Sequence, residues 1–145
     1  FIVVYLAQRR TKQYAIAAAN YQTTIRELSL EDRLSASPIT TRLQKLANSN
    51  PPQIAGSDDI KSLKELVSIN IQSFSDTVNP LQLSLSEQEY EVCLLTRLAF
   101  PSVCIDRLTG VSEGYTSRLK SRLYKKLTGQ DGNAKDFEHW IMNIK

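Results

Sequence analysis

Pro101-Ser-Val-Cys-Ile-Asp-Arg-Leu-Thr-Gly110-Val-Ser-Glu-Gly-Tyr-Thr-Ser-Arg-Leu-Lys120-Ser-Arg-Leu-Tyr-Lys-Lys-Leu127 holds two helical patterns separated by a glycine. Pro101 suits the first position of a helix, where its missing N–H would have no partner anyway. Val103, Ile105 and Leu108 give that helix an apolar side. Gly110 supplies the positive φ that ends it. Val111 is expected to turn inward, and Ser112 to cap the next helix. A short helix, a glycine turn and a longer basic helix follow in the order of a helix-turn-helix.

On a wheel of roughly 100° per residue, Leu119, Leu123 and Leu127 form one stripe of the second helix, with Thr116 among them. Gly114, Ser117, Arg118, Ser121 and Lys125 lie opposite, with Arg122 beside them. Small residues let a backbone approach base edges, and Arg and Lys neutralise phosphates and read guanine. A solvated basic face gives the same pattern.

The preceding residues, Leu85 to Phe100, read as an amphipathic helix. Ser86 caps it, Glu89 completes a capping box, and Tyr90, Cys93, Leu94 and Leu98 form its stripe. Leu85, Glu89, Glu91-Val92, Ile105, Gly110-Val111-Ser112, Leu123 and Lys126-Leu127 together resemble the LuxR-type helix-turn-helix domain, without a gap from Leu85 to Leu127. The ending Arg122-Leu-Tyr-Lys-Lys-Leu127 before a Gly-containing turn is similar to a bacterial subgroup in which this domain terminates membrane-anchored regulators, often with tetratricopeptide repeats outside the cytoplasm. The resemblance implies a DNA-binding transcription regulator. Arg118, Arg122 and Lys125 would hold phosphates or guanines, Gly114, Ser117 and Ser121 would approach base edges, and Ser102 would touch a phosphate. Three positions depart from the family pattern: Asp106 in place of Ala, Thr109 near an expected Leu, and Thr116 in place of Val. A buried unpaired carboxylate is costly, so Asp106 has to be exposed or partnered.

Over the 145 residues the net charge is only +3, but its distribution is uneven. Residues 97–127 carry seven Lys/Arg and two Asp/Glu, a balance of +5, whereas residues 51–96 carry two and seven, a balance of −5. Residues 1–50 carry seven and three, and 128–145 carry two and three. Positive charge thus gathers on the proposed reading segment and near the N-terminus.

The chain begins at Phe1, as expected of a fragment or a processed product. Phe1-Ile-Val-Val-Tyr-Leu-Ala7 is apolar and is followed by Arg9-Arg10 and Lys12. Seven residues are far short of the ~20 that span a bilayer. With the resemblance, they are expected to be the end of a spanning helix, its basic flank on the cytoplasmic side of the inner membrane. Residues 12–34 read as one helix, in which Tyr14, Ala18, Tyr21, Ile25 and Leu28 follow the 4-3-4-3 spacing of a coiled-coil seam. The chain breaks at Ser35–Pro38, with Ser37 as cap. Ile39, Leu43, Leu46 and Ala47 face inward on the next helix, and residues 48–56 form a loop. A third helix is expected from Ser57 to about Thr77 by its Leu63, Leu66, Val67, Ile71 and Phe74, stopped by Asn79-Pro80. After a turn at 128–132, Asn133 caps a last helix with Phe137, Trp140, Ile141 and Ile144 on one face. That face needs a partner, either its own domain or a second subunit.

The fold class is therefore all-α. A long coiled-coil-like helix occupies 1–35, a helical linker 36–84, and a three-helix helix-turn-helix domain with a final amphipathic helix 85–145. Cys93 and Cys104, the only cysteines, and His139, the only histidine, cannot furnish a closed zinc site. Two buried free thiols fit a reducing cytosol. Glu87, Glu89 and Glu91 recur at every second residue and point apart on a helix, and no phosphate-binding glycine motif is present. No enzyme, cofactor or metal is expected. The expected partners are double-stranded DNA, a second copy in a homodimer, and the inner membrane through or before residues 1–7. A protein-interaction adaptor that keeps the fold without binding DNA is the alternative.

Overall fold

The computed structural model describes residues 29–78 and 85–144, and among these every regular element is a helix. The elements are α1 (Leu30–Ala36), α2 (Pro38–Asn48), α3 (Ser57–Asn70), α4 (Phe74–Val78), α5 (Glu87–Arg97), α6 (Ser102–Thr109), α7 (Tyr115–Thr128) and α8 (Ala134–Met142). The apolar segment 1–7, its basic flank and the 14–28 seam lie outside the described residues. Residues 34–145 form one compact unit.

Local signals explain most boundaries. Pro38 stands in the first turn of α2 after Ser37, whose side chain makes no capping bond. Ser86 accepts from the Glu89 N–H at 3.1 Å while the Glu89 carboxylate accepts from the Ser86 N–H at 3.0 Å, so α5 opens on a complete capping box. Asn133 and Asp136 repeat the device at α8.

Some boundaries differ from expectation. The helix expected to run from Ser57 to about Thr77 stops at Asn70 and resumes as α4. The Asn70 side-chain amide donates to the Leu66 carbonyl at 2.8 Å, competing for the acceptor that the backbone N–H of residue 70 would use. Ile71 then leaves helical geometry, at φ −131° and ψ 85°. Pro101 precedes α6 as its cap, with ψ 154°, instead of forming its first residue.

The core is continuous from linker to C-terminus. Leu43 and Ala47 of α2, Leu63 and Val67 of α3, Val92 to Leu95 of α5, Ile105 and Leu108 of α6, Leu119 and Leu123 of α7, and Phe137 and Ile141 of α8 are all buried. α2 packs on α6, and α3 on α5. The N–H of Ala55, in the loop after α2, donates to the Leu108 carbonyl at 2.9 Å. The final helix finds its partner within its own unit: α8 lies on α7 and α5, with Phe137, Ile141 and Ile144 buried. That face is not free to pair subunits. Val103, expected on the apolar side of α6, is exposed.

The second half of α5 is buried all round, where one stripe was expected. Thr96 and Arg97 are buried there with the apolar residues. Thr96 donates its hydroxyl to the Val92 carbonyl at 2.6 Å, and Arg97 Nε donates to the Ile144 carbonyl at 2.9 Å. Burial also pushes the Cys93 thiol up to about 12, so it is a packing residue with almost no thiolate at neutral pH.

One ion pair ties α2 to the head of α3. Arg42 Nε lies 2.6 Å from Asp59 Oδ1, and the other carboxylate oxygen accepts from the Gly56 N–H at 2.9 Å. The Arg42 bond, helped by that N–H, holds the Asp59 carboxyl below its ordinary 3.8 against the opposing effect of burial. A carboxyl lowered in the folded state contributes stability above its unfolded pKa, and that contribution is lost as pH falls through the folded value. The parent is therefore expected to lose stability on acidification below about pH 4, and Asp59→Asn to show a shallower loss over that window. Denaturant melts of both proteins at a series of acidic pH values measure the difference. Parallel profiles would remove Asp59 from the account.

Candidate nucleic-acid interface

The α6 and α7 helices are joined by five residues, 110–114, built on two glycines. Gly110 has φ 72° and Gly114 φ 85°, both in the left-handed region that glycine enters without strain. A Cβ on Gly114 would meet Arg118 Nη1 at an ordinary 3.8 Å, so backbone conformation and not crowding favours glycine there.

Ser112 was expected to cap α7. Instead the helix starts at Tyr115, whose N–H donates to the Ser112 main-chain carbonyl at 3.1 Å, while the N–H groups on either side of it are met from α6. The buried Asp106 accepts from the Gly114 N–H at Oδ2, 3.0 Å, and from the Thr116 N–H at Oδ1, 2.9 Å. Asp106 was required to be exposed or partnered, and it is partnered. Thr109, half-buried, turns its hydroxyl to the Ile105 carbonyl at 2.7 Å. Thr116 is fully buried, and its hydroxyl has no partner among the described residues.

The outward face of α7 carries Ser117, Arg118, Ser121, Arg122 and Lys125, as its wheel predicts. The three cations are exposed and the two serines half-buried. Leu119 and Leu123 are buried on the other side. Ser102, half-buried, opens α6. Gly114 stands at the head of α7, but its N–H is already given to Asp106 and cannot also serve a phosphate.

Two of the seven basic residues of 97–127, Arg97 and Lys120, are buried. Five remain exposed (Arg107, Arg118, Arg122, Lys125 and Lys126), and Asp106 is buried, leaving Glu113 as the exposed acid of this segment. The exposed balance is thus five minus one, or +4, and α7 itself contains no acid. Lys125 pairs with Asp131 at 3.0 Å and Lys126 with Glu89 at 3.3 Å, both surface pairs that salt or a competing anion displaces easily. The Arg122 guanidinium lies 6.0 Å from the centre of the Tyr115 ring, a cation–π distance.

Sequence reasoning missed Tyr115 and Lys126 as members of this surface. Tyr115 and Arg122 stand seven residues apart, two helical turns, and a helical Arg reaches back toward the N-terminus. That spacing was the available signal. Among the described residues no group of histidine, cysteine and acidic side chains is placed to hold a metal, and no helix is long and apolar enough to cross a membrane. No family model, no curated protein and no solved structure matches this chain.

Proposed function

We propose that this chain is the DNA-reading part of a transcription regulator, working as a homodimer and attached to the inner membrane through its N-terminal end. The observation that carries this reading is the acid-free α7, whose exposed side holds Arg118, Arg122 and Lys125 while its other side is buried in the fold. The resemblance of residues 85–127 to LuxR-type domains supports it. In this reading α7 enters the major groove, its three cations meet phosphates or guanines, Ser117 and Ser121 lie at base edges, and Ser102 meets a phosphate from the head of α6. The seam at 14–28 pairs the two copies. The chain carries out no chemistry of its own.

The test is titration of labelled duplex DNA with the protein at two or more salt concentrations. Log K is expected to fall by about 0.9 per unit of log salt for each phosphate neutralised. Arg118→Ala and Arg122→Ala are each expected to weaken binding by ~1–3 kcal/mol if the side chain reads a base, and more evenly across sequences if it meets only phosphate. Their melting temperatures are expected to stay with the parent, because both side chains are exposed. Binding absent at low salt, or unchanged in both variants, would make α7 a solvated face and leave the adaptor as the better account.

A further inference from the structure

Asp106 makes more turn contacts than any capping residue needs. Its main-chain carbonyl accepts from the N–H groups of Gly110 and Val111, which closes α6. Its carboxylate accepts from the N–H groups of Gly114 and Thr116, which opens α7. One buried residue thus satisfies donors on both sides of the turn, across as many as ten positions of sequence. The turn has no side-chain cap of its own at Gly114, and its two glycines leave the backbone free to take other angles.

We infer that Asp106 is a positioning residue for base reading: its carboxylate fixes the direction and rotation of α7 relative to α6, and hence where Ser117, Arg118 and Ser121 meet base edges. This rests on the DNA-binding reading above. Phosphate contacts made by long, flexible Arg and Lys side chains tolerate a small rotation of the helix. Hydrogen bonds to base edges do not, since they depend on angle and on distances of about 2.7–3.2 Å. Loss of the carboxylate should therefore erode discrimination between sequences before it erodes attraction to DNA. Asn at this position offers one acceptor oxygen and turns an NH2 group toward the other backbone N–H, so Asp106→Asn breaks one of the two bonds at nearly constant size.

The experiment begins with a duplex selected by the parent protein from a random pool, set against a scrambled duplex of equal length. Affinity for both is measured for the parent and for Asp106→Asn, together with the salt dependence on the scrambled duplex. The ratio of the two affinities does not depend on what fraction of a variant is folded, so simple destabilisation cannot change it. The expected result is a ratio about tenfold smaller in Asp106→Asn, the size of one lost base contact, with the salt slope unchanged. An unchanged ratio would overturn the inference while leaving DNA binding intact. A parent that binds no duplex, or binds all duplexes alike, would overturn it together with the reading it rests on. Should Asp106→Asn not fold at all, amide hydrogen exchange on the parent decides. Slow exchange at Gly114 and Thr116, matching the core of α7, is expected, and free exchange at both would sink the proposal.

Discussion

Arg97→Ala is expected to destabilise the protein by about 3–5 kcal/mol, in the range of a large core truncation. Arg97 ends α5 with its side chain fully buried. Its Nε donates to the Ile144 carbonyl at 2.9 Å, and Nη1 approaches the Met142 sulfur at 3.9 Å, so it reaches the end of α8 from forty-odd residues away. Truncation removes a long packed stem and deprives a main-chain carbonyl of its donor, two separate costs. Arg97→Met refills much of the volume without the hydrogen bond, and about half the loss or less is expected from it. Urea midpoints at unchanged m-value provide the comparison. Trp140 adds a local reading, because it is the only tryptophan and sits half-buried on α8 beside Phe137. In Arg97→Ala its emission is expected to shift red at the same lowered urea midpoint at which the helical signal is lost. A variant whose midpoint coincides with the parent's would mean that Arg97 does not dock α8.

The Lys120–Glu138 pair is expected to respond unequally to loss of its two partners. Lys120 of α7 is fully buried, and its ammonium lies 2.9 Å from Glu138 Oε1 on α8, whose side chain is 42% exposed. Glu138→Gln strands a buried ammonium opposite a neutral amide. Removing one partner of a buried pair typically costs about 3–5 kcal/mol, and water at the exposed carboxylate places the expectation at the lower end. Lys120→Met leaves the carboxylate facing solvent and puts an apolar chain of similar length into a fully buried position. A change within about 1 kcal/mol of the parent, of either sign, is expected. Equal losses from the two substitutions would show that the pair's Coulombic attraction outweighs the desolvation of Lys120, contrary to this account.

How much was legible in the sequence can be traced to particular residues. The capping box at Ser86–Glu89 and the Asn133 cap were legible, since each needs only partners three residues apart. So were the leucines of α7 and its outward cations, because one helix's periodicity sorts both. What was not legible depended on a second element. Lys120 looks like any helical lysine until α8 lies over it. Arg97 looks like a helix-ending cation suited to the dipole until the carbonyl of Ile144 arrives. Asp106 stood out as a carboxylate where burial was expected, but its partners are backbone N–H groups, and a backbone donor leaves no mark in sequence. Ser112 is a good cap residue whose side chain does not cap α7: Asp106 takes the Gly114 N–H, and the Ser112 main-chain carbonyl takes that of Tyr115. For the candidate interface, the face could be located but the internal order of its side chains could not. Tyr115 as a shelf for Arg122, and Lys125 and Lys126 engaged with acids on neighbouring segments, emerge only when the elements come together.

The attachment of α2 and its following loop to α6 determines how the protein can be taken apart and recombined. Ala55 is bonded to Leu108, Ile54 lies over Gly110, and Arg107 reaches the Ala47 carbonyl at 3.4 Å. A chimera that transfers α7 therefore has no natural seam before Leu85. A cut at 85 would carry α6 away without the helix that packs on it, leaving the Leu108 carbonyl without the Ala55 N–H and the Gly110 turn without Ile54. Residues 34–145 are one compact unit, and the α2 segment that looks like a tether in the sequence travels with α6 and α7 as part of it.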